Sequence, residues 1–126
     1  MMSIQNRGAL TVLLVDDEIF LVDELAEYLS KRGFGVLKAY GARAALEILA
    51  RDGGEAVTHL ILDLRMPDTD GFGLLGLIDR PRLAELFVIA VSGHAMIEDE
   101  VRAKALGAAV FLKKPFCPED ILGLLH

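Results

Sequence analysis

The sequence predicts a doubly wound α/β domain: a five-stranded parallel sheet with helices on both faces. Three observations lead there. Short apolar runs recur without alternation, segments of helical period separate them, and the runs end in polar residues. Four runs, at 12–15, 60–62, 87–91 and 108–112, are apolar throughout and rich in β-branched residues. Strands covered on both faces have this pattern, because neither side of the sheet meets water. Alternation of such strands with helices, joined by right-handed crossovers, closes into one layered domain.

In chain order, residues 1–8 are polar and are expected to form a flexible N-terminal segment, with residues 9–126 as one domain. The first strand, Val12-Leu13-Leu14-Val15, stops at Asp16. Val22, Leu25, Ala26 and Leu29 then share one helical face. Gly33 follows where a left-handed C-terminal cap is wanted. A weaker strand spans 35–40, and Leu46 and Leu49 mark the core face of the second helix. After the strand at 60–62, Leu74, Leu77 and Ile78 mark the third helix. After the strand at 87–91, Ile97, Val101 and Ala105 mark the fourth, which Gly107 ends. The fifth strand, at 108–112, leads to Cys117 as N-cap of the last helix. Pro118, Glu119 and Asp120 fill that helix's first turn, where proline and acids are favoured.

Composition narrows the function. The chain has 126 residues, 53% of them hydrophobic, which suits one globular core. A net charge of −6 offers no basic stripe for a phosphate backbone, so direct nucleic-acid binding is not expected. No segment resembles a secretory leader or a membrane span. Cys117 is the single cysteine, which fits a reducing compartment and makes the cytoplasm the expected location.

In a doubly wound sheet the binding crevice lies at the carboxyl ends of the strands. The first strand ends in Asp16-Asp17-Glu18, the third in Asp63, the fourth in Ser92-Gly93 and the fifth in Lys113-Lys114-Pro115. Carboxylates gathered this closely repel one another unless a cation sits among them. An all-oxygen donor set favours Mg²⁺, a lysine balances an arriving phosphoryl group, and a hydroxyl hydrogen-bonds one of its oxygens. The pattern fits phosphoryl transfer to an aspartate.

Four segments carry a resemblance to a known family: Val15-Asp16-Asp17-Glu18, the stretch from Leu62-Asp63-Leu64-Arg65-Met66-Pro67 to Gly71, Ser92-Gly93-His94, and Phe111-Leu112-Lys113-Lys114-Pro115-Phe116. From Leu10 to Leu125 the chain resembles the response-regulator receiver domains of bacterial two-component signalling. That resemblance implies the flavodoxin-like strand order 2-1-3-4-5. It implies Asp63 as phosphoacceptor, Asp17 as a Mg²⁺ ligand with Asp16 acting through water, and Arg65 contributing its backbone carbonyl. Ser92 takes the hydroxyl position that follows the phosphoryl group. Lys114, not Lys113, takes the lysine position, and Phe111 the aromatic position that swings inward on activation. It also implies a cis Lys114–Pro115 bond, which turns the ammonium back into the crevice. The donor is then a histidine kinase or phosphotransfer protein. The output is an attached domain, a partner or a second copy, met at the face of the fourth helix, fifth strand and fifth helix. Arg65 and His94 flank Asp63 and Ser92, and their bulk is expected to hinder water that would hydrolyse the acyl phosphate.

Plainer interpretations exist for each residue. Asp16, Asp17 and Glu18 suit a helix start, and Ser92 suits an N-cap. Phe111 suits ordinary core, while Lys113 is a solvated charge and Asp68, Asp70 and Gly71 are loop and cap residues. Gly71-Phe72-Gly73-Leu74-Leu75-Gly76 spells a dinucleotide fingerprint, but it follows its strand by a loop and lacks a ribose-binding acid. His59, His94 and His126 lack the spacing of zinc ligands. A haloacid-dehalogenase-type phosphatase would carry a second acid where Arg65 stands. A degenerate receiver, working without phosphorylation, would have lost an acid or the lysine. The chain is therefore expected to be a signalling switch, not an enzyme acting on other substrates.

Overall fold

The computed structural model describes residues 10–67, 70–93 and 96–125. Met1 to Gly8, Asp68, His94 and His126 lie outside the described residues. Five strands, β1 (Thr11–Val15), β2 (Gly35–Ala39), β3 (His59–Asp63), β4 (Phe87–Ser92) and β5 (Val110–Lys113), pair in parallel in the order β2-β1-β3-β4-β5. The helices are α1 (Ile19–Ser30), α2 (Ala42–Ala50), α3 (Gly71–Leu77), α4 (Arg80–Ala84), α5 (Ile97–Ala105) and α6 (Pro118–Leu122).

Strand alternation sorts the core into two layers. Val12 and Leu14 of β1, with Ile61, Ile89 and Val91, pack under Val22, Leu25, Ala26 and Leu29 of α1 and Ile121 of α6. Leu13 and Val15, with Leu60, Leu62, Val88 and Ala90, face Ala45 and Ile48 of α2, Phe72, Leu74 and Leu75 of α3, and Ala103 of α5. Gly33 and Gly107 close α1 and α5 with φ of 96° and 120°, the left-handed conformation that glycine adopts without a Cβ clash.

Several helix faces differ from the sequence expectation. The expected third helix is two: Ile78 is extended, and Asp79 starts α4 with Pro81 in its first turn. A proline lacks the N–H that a continuous helix would need there. Leu77 is 63% exposed, beside buried Leu74 and Ile78. In α2 the buried positions are Ala42, Ala45 and Ile48, with Leu46 and Leu49 only partly covered. The largest departure is α5. Ile97 and Val101 are 76% and 61% exposed and Ala105 faces out, while Asp99 and Ala103 face in. Apolar period marks a face but not its direction; contacts made by the opposite face decide that. Strand β5 begins two residues later than expected, at Val110.

Candidate functional site

The sheet register carries four strand ends to one edge. Val15 pairs with Ala39 and Leu62, Asp63 with Val91, and Ser92 with Lys113. The ladder continues one bond past these pairs, from Asp16 N–H to the Ala39 carbonyl (3.2 Å), Leu64 N–H to Val91 (2.9 Å) and Lys114 N–H to Ser92 (2.9 Å). The chain thus leaves each strand with its direction fixed, which brings Asp63 at the end of β3 beside Asp16 and Lys114, the first residues past β1 and β5.

Asp63 is 4% exposed and Asp16 7%, while Asp17 lies open to water. One carboxylate oxygen from each of Asp16, Asp17 and Asp63 falls within 4.8 Å of the others. Lys114 Nζ lies 2.8 Å from Asp16 Oδ2 and 3.4 Å from Asp63 Oδ2, and also touches the exposed Glu18 carboxylate. The Lys114–Pro115 bond is cis, as expected. Asp63 Oδ1 accepts the Arg65 N–H at 3.1 Å.

Burial pushes the Asp63 carboxyl up to about 6; the Arg65 N–H opposes the rise, the Asp16 charge adds to it, and Lys114 opposes it. Burial works against the Lys114 charge, but hydrogen bonds to Asp16 and Glu18 outweigh it and raise that pKa. One lysine therefore does not neutralise the cluster. The donors are all oxygen, and exposed Asp17 leaves room for the waters that a hard cation keeps, so the residues fit a divalent metal.

The remaining named residues are near but not all joined to this cluster. Ser92 ends β4 fully buried, and the N-cap of α5 is Met96, so Ser92 does not cap that helix. Phe111 lies on β5 opposite Ala90 and is half-buried against the core. Lys113 points to solvent. Asp70 caps α3 by accepting the Gly73 N–H at 2.9 Å, and the Gly71–Gly76 motif lies within α3 instead of forming a phosphate loop. Cys117 is the N-cap of α6, its N–H bonded to the Asp120 carboxylate.

Sequence reasoning missed two partners. Glu18 stood in the motif, but its contact with Lys114 depends on where the β5 loop returns. Asp99 is 8% exposed and pairs with Arg65 at 2.7 Å. Within Glu98-Asp99-Glu100 it looks like any acid of a helix's first turn, and nothing in the sequence sets it apart.

Fold and site together define an α/β switch domain with an acidic, lysine-bearing pocket at its strand ends. The sequence matches the response regulator receiver domain over residues 12–126, and the chain belongs to that family. It is 38% identical over 117 residues to the response regulator protein FleR of Pseudomonas aeruginosa, covering 93% of this chain and 24% of that protein. Against the regulatory protein VanRc of Enterococcus gallinarum, identity is 29% over 111 residues, covering 88% and 46%. The chain thus spans less than half the length of either relative.

Among solved structures, a response regulator receiver protein from Pseudomonas putida is similar at a TM-score of 0.83 and 34% identity, covering 91% of this chain and 93% of that one. A response regulator from Burkholderia pseudomallei, solved with a phosphorylated aspartic acid, calcium ion and citrate, gives 0.80 and 26%, covering 93% and 66%. This is a phosphorylation-switch receiver, a signalling domain and not a conventional enzyme. Receiver domains partner with histidine kinases and output domains. Among the described residues no helix is long and apolar enough to cross a membrane.

Proposed function

We propose that residues 9–126 form a switch in which Asp63 takes a phosphoryl group from the phosphohistidine of a kinase or phosphotransfer protein, with Mg²⁺ bound beside it. One observation carries this reading: a buried aspartate at a strand end, with Lys114 Nζ 3.4 Å away and the Asp16 and Asp17 carboxylates within 4.8 Å. The Burkholderia regulator, which holds a phosphorylated aspartate and a divalent ion, supports it.

An Asp63 carboxylate oxygen attacks phosphorus in line, the O–P bond forms, and the P–N bond to the donor imidazole breaks with its electron pair staying on nitrogen. Asp17, Asp63 and the Arg65 carbonyl, with Asp16 through a water, would hold Mg²⁺, whose charge would offset that of the phosphoryl oxygens. Lys114 exchanges its contact with the Asp63 oxygen for one with the phosphoryl group, which satisfies the same ammonium in the new state. The Ser92 hydroxyl hydrogen-bonds a phosphoryl oxygen, and Phe111 packs into the space this movement leaves. The signal then passes through the α5–β5–α6 face to an output domain, a partner or a second copy. On this reading the protein works in the cytoplasm, where kinase and metal are available.

Intact mass after incubation with acetyl phosphate, with and without Mg²⁺, tests the proposal. One phosphoryl group is expected, dependent on Mg²⁺ and absent from Asp63→Ala. A folded protein that gains no mass would be a phosphorylation-independent interaction module.

A further inference from the structure

Helix α5 is packed inside out. Its outward side carries Ile97 and Val101, 76% and 61% exposed, preceded by Met96 at 53%. Its inward side carries Asp99, 8% exposed, beside fully buried Ala103. Burying a carboxylate is costly unless a partner meets it. That partner comes from outside the helix: Arg65 Nη2 lies 2.7 Å from Asp99 Oδ2. A second tie is weaker, the Arg102 guanidinium stacked 4.2 Å from the centre of the Phe72 ring on α3.

Arg65 also belongs to the phosphorylation loop. Its N–H donates to Asp63 Oδ1, so its side chain springs from backbone already touching the acceptor carboxylate. The residue that keeps Asp99 buried is therefore within a side chain's swing of any group attached to Asp63.

We infer that the Arg65–Asp99 ion pair is a latch that holds α5 against the sheet and that phosphorylation of Asp63 opens it. This rests on the phosphoacceptor role proposed above. An aspartyl phosphate places a group of about two negative charges and three acceptor oxygens beside Arg65. A guanidinium prefers such an acceptor, which it meets through two parallel N–H bonds. Asp99, left without its partner, is a buried unpaired charge and moves toward water, loosening the start of α5. Asp99 is thus a positioning residue: it acts on α5 through Arg65 and touches no reacting atom. Its loss from the interior alters how the Ile97–Val101 stripe is presented, and so links the chemistry at β3 to the surface of α5.

Hydrogen exchange over residues 96–106 of the full chain tests the latch, with and without beryllium fluoride and Mg²⁺ as a stable phosphoryl mimic. In the wild type the mimic is expected to speed exchange in α5 by about tenfold. Asp99→Asn is expected to exchange faster before the mimic is added, and to respond little to it. Arg65→Lys, which keeps the charge but not the paired N–H bonds, falls between. Acetyl phosphate labelling, read by intact mass, runs beside each sample. A wild type that gains the phosphoryl mass but shows no change in α5 exchange overturns the latch alone. The same holds if Asp99→Asn responds as the wild type does. A wild type that gains no mass overturns the latch together with the phosphoacceptor role.

Discussion

Lys114 Nζ stands 3.4 Å from Asp63 Oδ2 and closer still, at 2.8 Å, to Asp16. The lysine occupies charge space that a divalent ion would otherwise share. Lys114→Ala is therefore expected to bind Mg²⁺ more tightly, by about threefold to tenfold, since an internal cation no longer repels the ion. Phosphorylation by acetyl phosphate is expected to slow by about 100-fold, because the same ammonium offsets charge on the transferred group. Calorimetric titration and time-resolved intact mass measure the two effects, which run in opposite directions.

The raised Asp63 pKa makes a statement about stability. Its ordinary value is 3.8 and its folded value about 6, so the folded state holds this proton more tightly than the unfolded chain does. Stability from this group is complete below pH 3.8 and is lost as pH rises through 6. The loss is at most about 3 kcal/mol. Asp63→Asn keeps the uncharged form at every pH. Without divalent ions it is expected to be more stable than the wild type by about 1–3 kcal/mol at pH 7.5, with no difference at pH 3.5. Urea unfolding at the two pH values reads this. Adding Mg²⁺ should stabilise the wild type more than the variant, since it binds the folded acidic cluster.

Gly71 opens α3 directly against the backbone of Asp63 and Leu64. A Cβ there would lie 2.6 Å from the Asp63 carbonyl oxygen and 2.8 Å from Leu64 Cα. Both are main-chain atoms and cannot yield as a side chain would. Gly71→Ala is expected to cost about 1–3 kcal/mol in stability and to slow phosphorylation as well, because relief requires moving the end of β3. A variant that unfolds at the wild-type temperature would show that α3 shifts freely.

Arg82 of α4 donates from Nη2 to the carbonyls of Gly54 and Val57, at 2.8 and 2.9 Å. It ties α4 to the turn before β3, at the end of the sheet away from the crevice. Arg82→Ala is expected to cost about 2–3 kcal/mol, since two partly buried carbonyls lose a charged donor. Phosphorylation of the protein that remains folded should be unchanged. Thermal unfolding beside the mass assay separates the two readouts.

Much of this was legible in the chain. The continuous apolar strands, the caps at Gly33 and Gly107, and the acids and lysine at the strand ends follow from local rules, and the structure brings Asp16, Asp17, Asp63 and Lys114 together. The break at Ile78 was not read from the sequence, because the apolar spacing across it suggested one helix; Pro81, in the first turn of α4, is the local feature that could have marked it. The direction of α5 carried no such signal. Its apolar positions had helical period, yet the helix buries Asp99 and exposes Ile97.

The sequence alone determined the elements and the chemistry at their ends, because hydrophobic period, capping and residue type act within a few positions of one another. Tertiary structure decided which face of α5 is buried and which charges meet. Asp99 is paid for by Arg65, 34 residues away, and Lys114 reaches Glu18 across 96. Such pairs depend on where parallel crossovers return the chain. A buried charge is tolerated only once a partner from another element has arrived, and no local pattern can announce it.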